Sequence, residues 1–419
     1  MTLRSTIFAA TALLALAAPA ESQQPRRVTL AEALDLFARN SLELSLGRAQ
    51  AAEAMALARQ AAAFPNPAVA TTHEPLSDGT EDYSETYVML SQRLEWPGAR
   101  AARRAAASGT ADAAVARFVA DSSRLAFEVK RAFTEAARAE RVERVLERVT
   151  SVFREGARSA EVRYAEGDIS LYDSRRIRVE RAKYETLLAE ATLEASAARR
   201  RLALLVAPVA EALELSPADS LDGLPPAIAA EHVLEDALAR RSDIAAADAA
   251  LESARAGATA VRRERIPDVT ATVGYKTQSD GFGGAFLGLS LPLPLWDRRG
   301  GAVAAADARL QAAQSRRSLV RRQVENDMRR ALEAYRSLRR RVELLAESRP
   351  DEGADLLAIA RAAYAEGELE LIALFDAAEA LLEAQTAEVS LRADLWTAYY
   401  DIERAAGGFD GSLDRGDDR

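Results

Sequence analysis

Side chains that could carry catalysis or bind a metal are few in this sequence. It contains no Cys and only two His, His73 and His232, and His73 has no pair of acids at ligand spacing beside it. A Ser-His-Asp order, a Walker phosphate-binding sequence and a GxGxxG fingerprint are absent. The sequence therefore predicts a protein that is not an enzyme, with no metal site and no cofactor. His73 is expected in a strand facing a lumen, or in a loop.

One short sequence motif occurs twice in the chain. The tetrapeptide YAEG begins at Tyr164 and again at Tyr364. Trp96 and Trp296 keep the same offset of 200 residues, and each precedes a basic, Ala-rich stretch. Several features repeated in the same order at one offset indicate a tandem duplication.

The composition favours a long, thin helical molecule. Hydrophobic residues make up 49% of the chain but aromatic residues only 6%, and much of the apolar content is Ala. Ala favours helices and their close packing rather than a thick core. The formal net charge of -9 argues against nonspecific binding of nucleic acid.

The first 20 residues predict a cleaved signal peptide, and hence export. Arg4 precedes an apolar run from Ile7 to Ala18, and Ala18-Pro19-Ala20 has the small-x-small pattern of a cleavage site. No later stretch reaches 18 consecutive apolar residues, so membrane-spanning helices are not expected. Without Cys there is no residue for a lipid anchor after the signal.

Both halves show the same order: a helix, a strand hairpin, a very long helix, the YAEG turn and another helix. The predicted units are a first repeat at 21–206, a Pro-containing linker at 207–228, a second repeat at 229–407 and a disordered tail at 408–419. Within the repeats we expect strand hairpins at 65–96 and 267–296, long helices at 98–163 and 299–363, and final helices at 171–205 and 371–407. Each long helix would extend about 100 Å, and Pro350 should kink the second one.

The predicted strands alternate between an apolar face and a small or polar face. Strands of about ten residues with this pattern are typical of transmembrane β-strands, although a half-buried soluble hairpin gives the same pattern. Export and the length of the helices favour the membrane. Pro292 and Pro294 predict that strand pairing fades before the second long helix. The membrane-facing residues are expected to be Leu90, Leu94, Trp96, Val269, Val273, Leu289, Leu291 and Leu293.

Four strands per chain are too few to close a barrel, and an open edge is not tolerated in lipid. Other copies of the chain must therefore close it, with eight strands in a dimer or twelve in a trimer.

The motifs resemble those of TolC-type outer-membrane efflux proteins over nearly the whole chain, from about Val28 to Gly407. They are the FPNP sequence at the start of the first strand, LEWPGAR before the first long helix and the Tyr-x-x-Gly turns. The FPNP and LEWPGAR forms look most like the cation-efflux and resistance-nodulation-division branch. The resemblance implies a mainly α fold with transmembrane β structure, in which duplicated long-helix repeats form a periplasmic α-barrel and a homotrimer forms a 12-stranded outer-membrane β-barrel.

The same resemblance implies a function and partners. The trimer would be the passive exit channel of a tripartite efflux or type I secretion system, located in outer-membrane lipid with a periplasmic extension. It would dock to a periplasmic adaptor and depend on an inner-membrane transporter of the resistance-nodulation-division type.

The resemblance also implies site residues at the turns between the helices. The adaptor-docking turns would contain Tyr164, Gly167, Asp168, Tyr364, Gly367 and Glu368, and the periplasmic gate would contain Asp173, Tyr364 and Asp376. Both tyrosines would brace a neighbouring helix, and Asp173 would hydrogen-bond Tyr364. Ala373 and Leu369 stand where the family can have an acid and an Arg, so we expect an easier-opening gate with weaker cation selectivity.

Other interpretations remain open at the level of the sequence. YAEG is also a good cap for a helical hairpin, and Asp376 could be a solvated residue on a helix face. A periplasmic adaptor or a structural coiled coil of the envelope would also contain long helices.

Overall fold

The computed structural model describes residues 25–77, 79–206, 215–219, 221, 223–228, 233–347 and 352–407. The predicted signal peptide, the predicted tail, His232 and the predicted kink at Pro350 lie outside these ranges. In the part of the chain that is described, no helix is both long and apolar enough to cross a membrane.

The first repeat contains a capped first helix and one very long helix. The Thr29 hydroxyl accepts from the Glu32 N–H at 3.2 Å, and the Glu32 carboxylate accepts from the Thr29 N–H at 2.8 Å. This capping box satisfies two backbone donors at the start of the first helix. The elements are β1 (Arg26–Val28), α1 (Leu30–Asn40), α2 (Leu42–Ala62), β2 (Ala68–Ser77), β3 (Asp82–Leu94), α3 (Ala99–Glu166) and α4 (Leu171–Val206).

The second repeat follows the same order. Its elements are β4 (Leu215–Pro217), α5 (Val233–Arg240), α6 (Ser242–Arg263), β5 (Val269–Gln278), β6 (Gly283–Ser290), α7 (Gly300–Glu347), α8 (Glu352–Glu366) and α9 (Leu371–Ala405). Two helices, α7 and α8, occupy the region where one kinked long helix was expected. The strand β4 lies within the predicted linker and pairs in parallel with β1, a pairing that the sequence did not predict.

Helix α3 has 68 residues and is therefore about 100 Å long. It packs against α2 and α4 of its own repeat and against α6 and α9 of the other. Small residues dominate the buried face of α3, so the helices can approach closely. The Ala-rich composition thus produces a thin core that extends along the helices.

Strands from both repeats form one antiparallel sheet in the order β2-β3-β5-β6. Pairing of β3 with β5 joins the two halves. Gly274 makes this pairing possible, because a Cβ atom there would lie 2.5 Å from the Val88 carbonyl oxygen. The last strand, β6, ends at Ser290, before Pro292 and Pro294, as the missing N–H donors predict.

Candidate functional site

The two YAEG sequences form the same turn. In the first, Gly167 has a left-handed φ of 84°, and its N–H and that of Asp168 bond back to the carbonyls of Tyr164 and Arg163 at 3.1 and 2.8 Å. In the second, Gly367 has a φ of 81°, with equivalent bonds of 3.2 and 2.8 Å. Glycine adopts this conformation without steric cost, so it ends each helix and allows the chain to reverse.

Four of the predicted docking residues lie on the surface of these turns. Gly167, Asp168, Gly367 and Glu368 are all exposed. Each turn closes a helical hairpin, α3 with α4 in the first case and α8 with α9 in the second. The structure therefore brings the predicted docking residues to the ends of two hairpins that pack on each other.

The two tyrosines of the repeated motif have different environments. Tyr364 is 4% exposed, whereas Tyr164 is 44% exposed. Tyr364 packs in a hydrophobic cluster with Phe153, Ile177 and Leu374, which we call the tip cluster. Tyr364 therefore packs against residues of the other hairpin within the chain, and the bracing role of the two tyrosines stays a prediction.

The expected hydrogen bond between Asp173 and Tyr364 is absent from this structure. The Tyr364 hydroxyl is buried and has no partner among the described residues. Burial raises the pKa of Tyr364; the Arg163 charge opposes that shift and the Asp173 charge adds to it. The Asp173 carboxylate instead accepts from the Ser170 hydroxyl at 2.6 Å, while Ser170 accepts from the Asp173 N–H at 3.1 Å. Together they cap the start of α4.

Sequence reasoning missed Arg163, which lies directly before the first YAEG turn. Its Nη1 donates a 3.1 Å hydrogen bond to the Tyr364 carbonyl of the other hairpin. A signal was present in the sequence, because the position before the tyrosine is Arg in the first copy and Ala363 in the second.

Asp376 is exposed on α9, and Ala373 beside it is half-buried. Two further acids, Glu379 and Glu383, are also exposed at helical spacing from Asp376, so the three carboxylates share one face of α9. We call these residues the acidic stripe. The spacing of the three acids was visible in the sequence, but only Asp376 was predicted.

The register of the sheet places most of the predicted membrane-facing residues on one side. Leu90 lies opposite Val273, and Leu94 opposite Val269. Leu289 lies opposite Ala271 on the same face. These pairs form a largely exposed apolar surface across β3, β5 and β6, in which Val269 and Ala271 are half-buried.

The other three predicted membrane-facing residues lie outside the regular strands. Leu291 and Leu293 follow the end of β6 and are exposed. Trp96 follows β3, and its indole N–H donates to the Pro267 carbonyl at 2.5 Å. Trp96 therefore ties the ends of the two strand hairpins together.

The opposite face of the sheet carries a polar cluster, with Met89 and Phe286 further along the same face. Glu85 accepts hydrogen bonds from Tyr87 at 2.5 Å and Gln278 at 2.7 Å, and pairs with Lys276 at 2.7 Å. His73 is not on this face. It lies opposite Thr86 on the face that carries Leu90, with its Nδ1 2.9 Å from the Thr86 Oγ1. His73 therefore lies within β2 and not in a loop, on the apolar side of the sheet.

No group of three or more acids and His that could hold a metal ion occurs among the described residues.

Comparisons with known proteins agree with this architecture. Residues 233–408 match the family described as outer membrane efflux protein. The cobalt-zinc-cadmium resistance protein CzcC of Cupriavidus metallidurans is 29% identical over 297 residues, which cover 71% of this chain and 69% of that protein.

Solved channel structures share the fold. The outer membrane protein VceC of Vibrio cholerae matches with a TM-score of 0.72 and 22% identity, over 90% of this chain and 96% of its own. The CmeC outer membrane channel of Campylobacter jejuni matches with a TM-score of 0.77 and 16% identity, over 90% and 85% of the two chains. The resemblance indicated by the motifs is confirmed, and so is a mainly α fold with a few strands that matches these structures. Closure of the strands by a homotrimer stays a prediction.

Proposed function

The chain has the fold of outer-membrane efflux proteins, and its second half matches their sequence family. On this premise we propose that it is the exit channel of a tripartite efflux or type I secretion system. A homotrimer conducts substrates passively from the periplasm to the exterior. A periplasmic adaptor docks at its hairpin tips, and an inner-membrane transporter supplies the energy.

The unpaired edges of the sheet are the main support for the proposed trimer. Among the described residues, β2 and β6 each pair with one strand only, while one face of the sheet is apolar and exposed. Unpaired N–H and C=O groups at an edge are costly in lipid. Three copies that join β6 of one chain to β2 of the next would close a ring of twelve strands, with the polar Glu85 face turned inward.

The hairpin tips support the proposal of a docking surface. Val162, Tyr164 and Tyr172 are large apolar or aromatic residues that remain exposed near the first tip, at 57%, 44% and 67%. Aromatic residues such as these two tyrosines are enriched where proteins bind other proteins. The exposed Asp168 and Glu368 would form the polar rim of this surface.

Site-specific photo-crosslinking tests the docking surface. A photoreactive residue at position 168 or 368 should capture the co-expressed adaptor, whereas one at Glu53 in α2, far along the helices from the tips, should not. Equal capture from all three positions would contradict docking at the tips.

We favour a divalent cation as the cargo, because the relative CzcC is named for resistance to cobalt, zinc and cadmium. The acidic stripe suits such a cargo if it lines the conducting path, since carboxylates repeated by three-fold symmetry concentrate cations. The adaptor and coiled-coil alternatives offer no role for the apolar face of the sheet.

Planar-bilayer recording tests this function. The purified protein should form channels that prefer cations in a salt gradient, and the double variant Asp376→Asn, Glu379→Gln should lose much of that preference while it still conducts. Absence of channels from the parent would contradict an exit duct. Channels with unchanged selectivity in the variant would contradict the assignment of the acidic stripe.

A further inference from the structure

Arginines are concentrated at the end of the sheet that joins the helices, where β3 ends and β5 begins. The stretches 93–104, 262–268 and 297–299, which we call the basic collar, contain nine arginines and four acids. The whole chain has the opposite balance, with 55 Lys and Arg against 64 Asp and Glu. The segments that connect the strands at the other end of the sheet, 77–82 and 279–282, contain four acids and no Lys or Arg. The two ends of the sheet therefore carry charge of opposite sign.

Part of the positive charge in the basic collar is not neutralised. Arg263, Arg265 and Arg298 are exposed, and their side chains have no ion pair or hydrogen bond with any described residue. Three of the four acids are engaged by other arginines of the collar. These pairs are Arg93 with Asp268 at 3.4 Å, Arg103 with Glu95, and Arg299 with Glu264 at 2.5 Å. The remaining positive charge therefore faces the surroundings of the protein.

A cavity of about 330 Å³ places Arg265 beside exposed apolar side chains. Leu293, Leu295 and Trp296 line this cavity together with Arg265. The two leucines are 67% and 61% exposed, and Trp296 is 94% exposed. Both leucines follow β6, which carries part of the apolar face of the sheet, and Arg298 follows Trp296 by two residues. The cavity therefore lies at the border between the apolar face and the basic collar.

A phospholipid with an anionic headgroup matches this border. Trp is enriched where membrane proteins meet the headgroups, and arginine can extend its charge to the headgroups while its methylene stem covers apolar surface. A guanidinium group binds a phosphate through two parallel hydrogen bonds. A free phosphate ion would use the arginines but would leave Trp296 and Leu293 in water. The combination of groups therefore favours a lipid phosphate over an ion in solution.

The equivalent groups of the first repeat are engaged within the chain. A cavity of about 580 Å³ there is lined by Phe64, Trp96 and Arg100, among others. The Arg100 guanidinium carbon lies 3.5 Å from the centre of the Phe64 ring, and the group donates to the Ala62 carbonyl. The Trp96 indole N–H donates to the Pro267 carbonyl. Only the second repeat therefore offers a Trp and an Arg that are both free to bind a lipid.

We propose that Arg265, Arg298 and Trp296 bind an anionic phospholipid in the leaflet that faces the helices, with one lipid per chain. The two arginines hold the phosphate, and Trp296 with Leu293 covers the glycerol and the first acyl carbons. The bound lipid fixes the depth of the sheet in the membrane. This site depends on the proposed function, because it requires the apolar face of the sheet to lie in lipid.

Native mass spectrometry of the detergent-solubilised protein tests the site. The parent should retain one phosphatidylglycerol per chain and should prefer it to phosphatidylcholine with the same acyl chains. Each arginine near an anionic lipid surface is worth roughly fivefold in affinity, so the double variant Arg265→Gln, Arg298→Gln should bind phosphatidylglycerol on the order of twentyfold more weakly. Trp296→Ala should weaken the binding of both lipids alike, because it removes apolar contact and no charge.

The double variant Arg329→Gln, Arg340→Gln is the matched control. Both residues are exposed on α7, far along the helix from the basic collar, and their replacement makes the same change in charge. This variant should keep the lipid preference of the parent. Inorganic phosphate at the concentration of the lipid should not displace phosphatidylglycerol from the parent. Native mass and melting temperature confirm that each variant assembles.

The outcomes separate the lipid site from the channel. Equal binding of the two lipids by the parent, or an unchanged preference in Arg265→Gln, Arg298→Gln, would contradict the lipid site. Displacement by inorganic phosphate would also contradict it, because the arginines would then take a free anion. In each of these cases, conduction by the parent in planar bilayers would leave the exit channel standing. A parent that forms no channels and is soluble without detergent would overturn the proposed function and the lipid site together.

Discussion

The Tyr364 hydroxyl and the Asp173 carboxylate belong to the tips of the two different hairpins and share no hydrogen bond. The hydroxyl is buried without a partner among the described residues, and Asp173 is engaged by Ser170. Packing in the tip cluster and the contact with Arg163 therefore hold Tyr364 in place. A Tyr364–Asp173 bond would require a rearrangement of the cap on α4.

Replacing Tyr364 by Phe should therefore not destabilise the tip. The ring keeps its packing, and removal of an unsatisfied buried hydroxyl should raise the local unfolding free energy by about 1 kcal/mol. Hydrogen exchange of the α8 and α9 amides near the turn measures this. Tyr164→Phe, at the exposed equivalent position, should change nothing. Faster exchange in Tyr364→Phe than in the parent would show that the Tyr364 hydroxyl makes a stabilising hydrogen bond in the resting protein.

The two tip turns should respond differently to changes in their caps. Ser170 caps α4 with its side chain, whereas Glu370 at the start of α9 makes no side-chain cap bond. Ser170→Ala should cost about 1 kcal/mol in local stability, and Glu370→Ser should gain a similar amount. Hydrogen exchange of the first turn of each helix reports both. Unchanged exchange in Ser170→Ala, or faster exchange in Glu370→Ser, would contradict the assignment of the caps.

Gly274 should be essential for joining the two repeats in the sheet. A Cβ atom there would meet the Val88 carbonyl, so Gly274→Ala must separate β3 from β5. We expect little assembled protein in the outer-membrane fraction. Gly284→Ala in β6, where a Cβ atom meets nothing within 4 Å, should assemble normally. Normal assembly of both variants would mean that the strands can shift without loss of pairing.

Asp401 in α9 should make stability depend on pH. Burial raises its pKa above the ordinary value of 3.8, and the Arg404 charge opposes this shift only in part. A raised pKa means that the folded state favours the protonated carboxyl group. Asp401 therefore stabilises the fold below about pH 3.8, and this stabilisation is lost as the pH rises through the raised pKa.

Asp401→Asn should therefore raise the melting temperature at pH 7, and its advantage should disappear as the pH falls towards 3.8. Circular dichroism in detergent measures both. Asp394→Asn, at an exposed position of the same helix, should have no such pH-dependent effect. A melting temperature lowered by Asp401→Asn at pH 7 would show that the pair with Arg404 outweighs burial.

Local patterns predicted the local structure well. The glycines of YAEG indicate a helical hairpin turn because only glycine readily adopts the left-handed conformation there. The alternation around Leu90 and Val273 predicted a shared apolar face, because side chains in strands point to opposite sides in turn.

Features that depend on distant partners could not be predicted from the sequence. Tyr164 and Tyr364 stand in identical tetrapeptides, and only packing against the other hairpin makes one buried and the other exposed. The three-residue strands β1 and β4 are too short to show a pattern, yet they pair across nearly half of the chain. Arg163 is one of many arginines, and its role follows from a carbonyl about 200 residues later.

The native mass of the protein extracted from outer membranes in mild detergent tests the central claim most directly. The account predicts a mass of three chains, because the edges of β2 and β6 can then close on neighbouring copies. A protein that is released without detergent as a monomer would show that the apolar face of the sheet does not meet lipid, and would contradict the exit channel.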